Sequence, residues 1–173
     1  MRNERGKSIV TLVILTILIM IGAMIIIKYA QKMMIETEEQ DLKTNMLLIQ
    51  AEAKKGVEEV CFRTVNMKKE EDLNKINEIK QEYLNGTLLS NSPIEVQDAA
   101  KTVPNFTFDE NCYYLDEIIL NEMGIKDVNT EKYGYFIVKY DFLNADVEVI
   151  NTKGAKEKYT LTQIVQEIEE TQN

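Results

Sequence analysis

Carboxylates are the side chains of this chain that could do acid or base chemistry, because it contains no histidine. Acidic residues stand next to one another at Glu58 and Glu59, Glu70 to Asp72, Asp109 and Glu110, and Asp116 and Glu117. Neighbours on a helix point about 100° apart, so adjacency does not create a paired acid and base. Solvated faces commonly carry such pairs. The pairs therefore do not predict an enzyme.

Ligands for a metal or a cofactor are equally sparse. Asp109, Glu110 and Asn111 could offer oxygen atoms to calcium, but the ordered spacing and central glycine of a calcium loop are missing. Neither cysteine lies in a metal-ligand spacing, and histidine, the commonest metal ligand, is absent. The seven glycines form no phosphate-binding loop, dinucleotide fingerprint or nucleophile elbow. We expect no cofactor and no enzymatic activity.

The two cysteines, Cys61 and Cys112, leave two alternatives open. A disulfide between them would close a loop of about 50 residues, and the chain-entropy model gives such a loop roughly 4 kcal/mol of stabilisation. The other alternative is two unpaired thiols. Loop length does not decide between them, because the bond also needs suitable geometry.

Residues 8–27 form a run without charge or proline between Lys7 and Lys28. As a helix this run would be about 30 Å long, which matches the hydrocarbon thickness of a bilayer. A cleaved secretory signal would have a shorter apolar core of roughly 7 to 15 residues, followed by small residues. Here Ile25 to Ile27 lead directly into Lys28. The sequence predicts a membrane-spanning helix.

Charge is distributed unevenly along the chain. Residues 1–28 carry four basic groups and one acidic group, a balance of +3, whereas the rest carries 16 basic and 28 acidic groups, a balance of −12. Basic residues ahead of an apolar run favour a cytoplasmic N-terminus. The expected localisation is the cell membrane, single-pass, with the C-terminal domain outside the cell. An acidic surface opposes binding to phosphate backbones, so no nucleic-acid partner is predicted.

The rest of the chain predicts an α+β fold, with the long N-terminal helix packed on a small antiparallel sheet. The helix should continue to about Phe62, with Gly56 and residues 36–40 as places where it could kink or fray. Further helices are expected at 71–84, 94–101, 116–123 and 162–170, and strands at 112–115, 135–140, 147–150 and 159–161. Asp116 should cap one helix and Gly124 should end it. The apolar stripe of the long helix comprises Met33, Met34, Leu42, Met46, Leu47, Ile49, Ala53, Val57 and Val60.

The N-terminus resembles that of type IV pilins and pseudopilins, most closely the pilin-like proteins of Gram-positive anaerobes. It has a short basic leader ending in Gly6, then Lys7 and Ser8, then an apolar helix that continues as an amphipathic one. The segments 42–51, 135–138, 147–150 and 159–161 also look like that group. Lys7 stands where the family usually has a hydrophobic residue. Thr11 stands where it usually has a glutamate that pairs with a neighbouring N-terminus, a residue that minor pilins often lack.

The resemblance implies a pilin-like protein in three parts: a leader 1–6, a transmembrane and polymerisation helix 7–28, and an extracellular α+β domain 29–173. A prepilin peptidase would cut after Gly6, leaving Lys7 as the first and N-methylated residue. Subunits would then bundle their helices into a homo- or hetero-oligomeric filament, a type IV pilus or a type II secretion-like filament. The residues of that membrane and assembly helix include Ser8, Thr11, Ile17, Gly22 and Ile27.

Two other functions are compatible with the sequence. The first is an uncleaved, single-pass membrane-anchored binding module, which would keep Met1 or Arg2 and display its acidic domain outside the cell. The second is an ectoenzyme, which would depend on a carboxylate pair alone. A helix that is apolar on all sides can be surrounded by lipid or by copies of itself, so the apolar run fits the filament subunit best.

Overall fold

The protein is an α+β structure with a long N-terminal helix and one five-stranded antiparallel sheet, which confirms the predicted class. The computed structural model describes residues 3–68, 70–107, 109–126 and 130–171, without the side chains of 3–15, 18, 131–132 and 167–171. Its contacts divide the chain into two compact units, Met1–Gln40 and Asp41–Asn173. Each unit is described by itself below.

The helices and strands follow the predicted order. The described helices are α1 (Asn3–Thr64), α2 (Leu73–Tyr83), α3 (Ile94–Lys101), α4 (Glu117–Glu122), α5 (Thr130–Tyr133) and α6 (Leu161–Thr171), with a 3₁₀ turn at Leu89–Asn91. The strands are β1 (Thr87–Leu88), β2 (Cys112–Leu115), β3 (Phe136–Asp141), β4 (Asp146–Ala155) and β5 (Lys158–Thr160). They lie in the order β1-β2-β3-β4-β5, and every neighbouring pair is antiparallel.

Within the second unit, α1 buries one face in the core. Its buried residues recur every three or four positions, the spacing of one helical face. They are Leu42, Met46, Ile49, Ala53, Val57 and Val60. The predicted stripe was wrong at Met33, Met34 and Leu47, which are 54%, 64% and 42% exposed. Met33 and Met34 precede the first buried position, and Leu47 lies about 100° around the helix from Met46.

The sheet is covered on both faces, because successive side chains of a strand point to opposite sides. In β3, Phe136 and Val138 pack into a cluster with the buried face of α1 and with Leu161 and Ile164 of α6. Ile137, between them, packs into a second cluster. That second cluster contains Leu89, Val96, Ala100, Val103, Cys112, Ile137 and Ile150. Two separate layers of apolar side chains therefore hold the sheet.

Side-chain caps fix the starts of two helices. The carboxylate of Asp116 accepts a hydrogen bond from the N–H of Ile119 at 2.9 Å, which confirms the predicted cap of α4. At α6, the hydroxyl of Thr160 accepts from the N–H of Gln163, and the Gln163 amide oxygen accepts from the N–H of Thr160. This reciprocal capping box satisfies two donors that the helix itself leaves unpaired.

The prediction of a single-pass membrane protein is wrong. Crossing a bilayer takes about 20 consecutive apolar residues in one helix. Within the described part of the chain, no helix is long and apolar enough to do so. The side chains of 8–15 lie outside the described residues, and what remains of the predicted run before Lys28 is about 18 Å of helix. The finding equally contradicts the anchor of the alternative binding module.

Candidate functional site

The acidic pairs of the sequence are engaged in structural contacts. Glu59 lies 2.6 Å from the guanidinium of Arg63, one turn further along α1. The carboxylate of Asp72 accepts a hydrogen bond from the N–H of Lys68 at 3.1 Å, and Asp116 caps α4. These contacts turn the carboxylates toward their own backbone or a nearby cation. They do not assemble an acid and a base around a common cleft.

Asp109 joins the start of β2 to β3. One carboxylate oxygen lies 2.9 Å from Nζ of Lys139, and the other accepts a hydrogen bond from the N–H of Asn111 at 2.9 Å. Burial alone would raise the pKa of the Asp109 carboxyl, but Lys139 and the Asn111 N–H outweigh it and lower that pKa. Among the described residues, no group of three or more candidate ligands could hold a metal ion.

A small cavity lies beside β2 and β3. Its volume is about 90 Å³, and its lining includes Tyr114, Glu117, Thr130 and Gly134. Sites for small organic ligands usually enclose roughly 300 to 1,000 Å³. The cavity therefore has room for a few water molecules and does not define a ligand site.

Of the two alternatives for the cysteines, the structure shows two free thiols. Cys61 packs at the edge of the cluster under α1, where its Sγ donates to the carbonyl oxygen of Phe142 at 3.4 Å. Cys112 is buried in the other cluster, and its Sγ donates to Asp109 Oδ1 at 3.6 Å. The sheet separates the two sulfur atoms, so a disulfide would require the core to be rebuilt.

We predict that a maleimide at pH 8 labels Cys61 in the native protein and leaves Cys112 unlabelled. Burial raises the pKa of the Cys112 thiol to about 11, so only about one thiol in a thousand is ionised at pH 8. Burial also raises the pKa of Cys61, but this thiol is only half-buried. Mass spectrometry of the labelled peptides, with Cys61→Ser as the control, measures this. Equal labelling of both cysteines before denaturation would contradict it.

The largest exposed apolar area among the described side chains of the first unit is on α1, and we call it the apolar helix surface. Its side chains are 47% to 70% exposed. They are Ile17, Ile19, Met20, Ile21, Met24, Ile25, Ile26, Ile27, Tyr29, Met33, Met34 and Ile35. Met24 to Ile27 are consecutive, and steps of about 100° direct them to all sides of the helix. Contiguous apolar surface of this extent marks an interaction site in a protein.

The predicted processing and assembly residues all fall within α1. The backbone of Gly6, Lys7, Ser8 and Thr11 is helical, and their side chains lie outside the described residues. Ile17 and Ile27 belong to the apolar helix surface. A Cβ placed on Gly22 would meet no atom within 4 Å, so nothing within the described chain requires glycine there.

Sequence reasoning missed the end of the apolar helix surface. Tyr29, Met33, Met34 and Ile35 extend it beyond Lys28, where the predicted membrane segment ended. The available signal was that apolar residues continue on both sides of Lys32 before the acidic residues begin at Glu36.

Comparisons of the chain with protein-family models, with curated proteins and with solved structures find no match.

Proposed function

We propose that this chain is a structural, non-enzymatic subunit of a filament of the type IV pilin or pseudopilin class, as a major or minor component. The observation that carries the proposal is the apolar helix surface. Copies of the chain would assemble by packing this surface of α1 against the same surface of several neighbours. The leader resemblance and the α+β class agree with this function.

The proposal requires several neighbours because the apolar residues face all directions. A single partner would cover one side of α1 and leave the opposite side exposed to water. Burying one isoleucine side chain contributes about 1.5 to 3 kcal/mol, so every uncovered side leaves substantial free energy unrealised. A bundle of like helices covers all sides with one sequence, and Gly22 allows a neighbouring backbone to come close.

Processing after Gly6 forms part of the same proposal. The cut would remove Arg2, Glu4 and Arg5 and make Lys7 the first residue. Ser8 to Ile27 would then begin almost at the N-terminus, with no bulky charged leader between neighbouring helices. A prepilin peptidase is the proposed processing partner.

The test is an Ile26→Asp substitution in the full chain. Ile26 is 70% exposed, so aspartate there should not disturb the fold of its own subunit. In a bundle it would bury an unpaired carboxylate, which costs several kcal/mol. We expect the wild-type chain to form filaments and Ile26→Asp to remain monomeric at the same micromolar concentration, as measured by sedimentation and electron microscopy.

The matched control is Ile94→Asp, because Ile94 is 75% exposed and lies on α3 in the second unit. This variant should assemble like the wild type. Intact-mass analysis of chain recovered from filaments should find Lys7 at the N-terminus. A wild-type chain that stays monomeric, or an Ile26→Asp chain that assembles as well as Ile94→Asp, would overturn the proposal.

A further inference from the structure

Four charged residues share one face of α1 at the end of the apolar helix surface. Lys28, Lys32, Glu36 and Glu39 follow at steps of four, four and three residues, which keeps them within about 80° of one another. Lys32 and Glu36 have side chains that are 74% and 57% exposed, and they form an ion pair of 3.8 Å within the chain. The basic pair comes first and the acidic pair second. We call these four residues the charged face.

The order of the charges distinguishes between ways of placing two copies of α1 side by side. Parallel copies in register would set Lys28 against Lys28 and Glu36 against Glu36, which is repulsive. A parallel displacement of about two turns, roughly 11 Å, sets Lys28 against Glu36 and Lys32 against Glu39. The separations in sequence, eight and seven residues, both match two turns, so the facing sides stay aligned.

An antiparallel pair could also match the charges, by setting Lys28 against Glu39 and Lys32 against Glu36. It would, however, place residues 17–27 of the apolar helix surface opposite residues 41–51. That segment begins with Asp41 and contains Lys43, and its apolar residues Leu42, Met46 and Ile49 are already buried in the core. The displaced parallel arrangement instead sets residues 17–28 beside 24–35, so apolar residues meet apolar residues along the contact.

Resting on the proposed function, we propose that the charged face binds a second, parallel copy of α1 displaced by two turns. Lys28 and Lys32 of one copy contact Glu36 and Glu39 of the next. The contact uses different residues on its two sides, so each copy keeps a free basic pair at one end and a free acidic pair at the other. Such a contact does not close on itself, and it propagates into an open filament.

Carbodiimide cross-linking tests the register directly, because it joins a lysine amine to a carboxylate only where they touch. Filaments would be assembled from equal amounts of ¹⁴N- and ¹⁵N-labelled full chain, and mixed-isotope peptides would identify links between copies. We expect Lys28 joined to Glu36 and Lys32 joined to Glu39. Mixed-isotope links of Lys28 to Glu39 and Lys32 to Glu36, or a lysine-specific reagent joining Lys28 to Lys28, would overturn the proposal.

Charge reversal provides a second readout. Lys28→Glu with Lys32→Glu makes the charged face wholly acidic, and Glu36→Lys with Glu39→Lys makes it wholly basic. Each double variant alone should need about a tenfold higher concentration to assemble, whereas their equal mixture should assemble like the wild type. Lys55→Glu, at an exposed lysine of the second unit, is the control and should have no effect.

The outcomes separate this inference from the proposed function. If the wild type never assembles, the filament itself is refuted. If it assembles and Ile26→Asp prevents assembly, but the mixture of double variants does not recover, only the two-turn displacement is refuted.

Discussion

Replacing Gly56 with alanine should lower the free energy of unfolding of the second unit by about 2 to 3 kcal/mol. A Cβ at Gly56 would overlap the backbone carbonyl oxygen of Tyr83 and lie 3.4 Å from its carbonyl carbon. That carbonyl belongs to the last residue of α2, so it cannot rotate away like a flexible side chain. The two helices would have to separate, and overpacking of this kind typically costs 1 to 3 kcal/mol.

Thermal unfolding followed by circular dichroism measures this prediction, with an expected decrease in Tm of about 10 °C. The matched control is Gly22→Ala, the same substitution in the same helix at a site where nothing lies within 4 Å. Alanine there should leave the unfolding of the second unit unchanged and favour helix formation by about 1 kcal/mol. Equal Tm values for the two variants would show that α1 and α2 can separate freely.

A Tyr140→Phe substitution should lower the free energy of unfolding by about 2 kcal/mol. The Tyr140 hydroxyl donates a hydrogen bond to the carbonyl oxygen of Asn85 at 3.0 Å and accepts one from the Asn85 N–H at 3.1 Å. Tyr140 is 1% exposed, and burial raises its pKa, so the hydroxyl keeps its proton. Phenylalanine keeps the ring but leaves both backbone groups without a partner.

Chemical denaturation in urea would measure the loss as a lower midpoint with an unchanged slope. Tyr113→Phe is the control, because the Tyr113 ring packs edge-on against Tyr140 with centroids 5.2 Å apart and phenylalanine retains that contact. We expect this control to change stability by less than about 0.5 kcal/mol. A Tyr140→Phe variant as stable as the control would mean that water replaces the hydroxyl at Asn85.

Periodicity and cap chemistry allowed most of the fold to be predicted from the sequence. The three- and four-residue spacing from Leu42 to Val60 identified the buried face of α1, and Asp116 identified the start of α4. Strong local signals of this kind depend on residues that are close in sequence. Gly56 was expected as a point where α1 could kink, but the helix continues through it. Its reason for being glycine is the close approach of α2, which no local pattern reveals.

Features created by distant contacts could not be predicted. β1 has only two residues and exists because Thr87 and Leu88 pair with Tyr114 and Tyr113. Asn151 was assigned to a turn, yet β4 continues through it with an irregular register. Its buried side chain donates to the carbonyl oxygen of Tyr133 and accepts from the N–H of Gly154, so the amide replaces missing strand contacts.

The candidate site was only partly predictable for a related reason. The apolar run that contains Ile17 and Ile27 is visible in the sequence, but hydropathy alone does not say what covers a helix. Its extension through Ile35 required knowing which residues of α1 the second unit buries. The two cysteines show the same limit, because only the strand alternation places Cys112 on the far face of the sheet from Cys61.

The second unit takes its core residues from α1 only at Leu42 and beyond, as far as the described side chains show. Folding of that unit therefore uses none of the apolar helix surface, whose residues end at Ile35. Substitutions in the two regions are far enough apart along α1 for their free-energy effects to add independently. A sequence of this design can vary the strength of self-association by mutation while its folded domain keeps the same thermal stability.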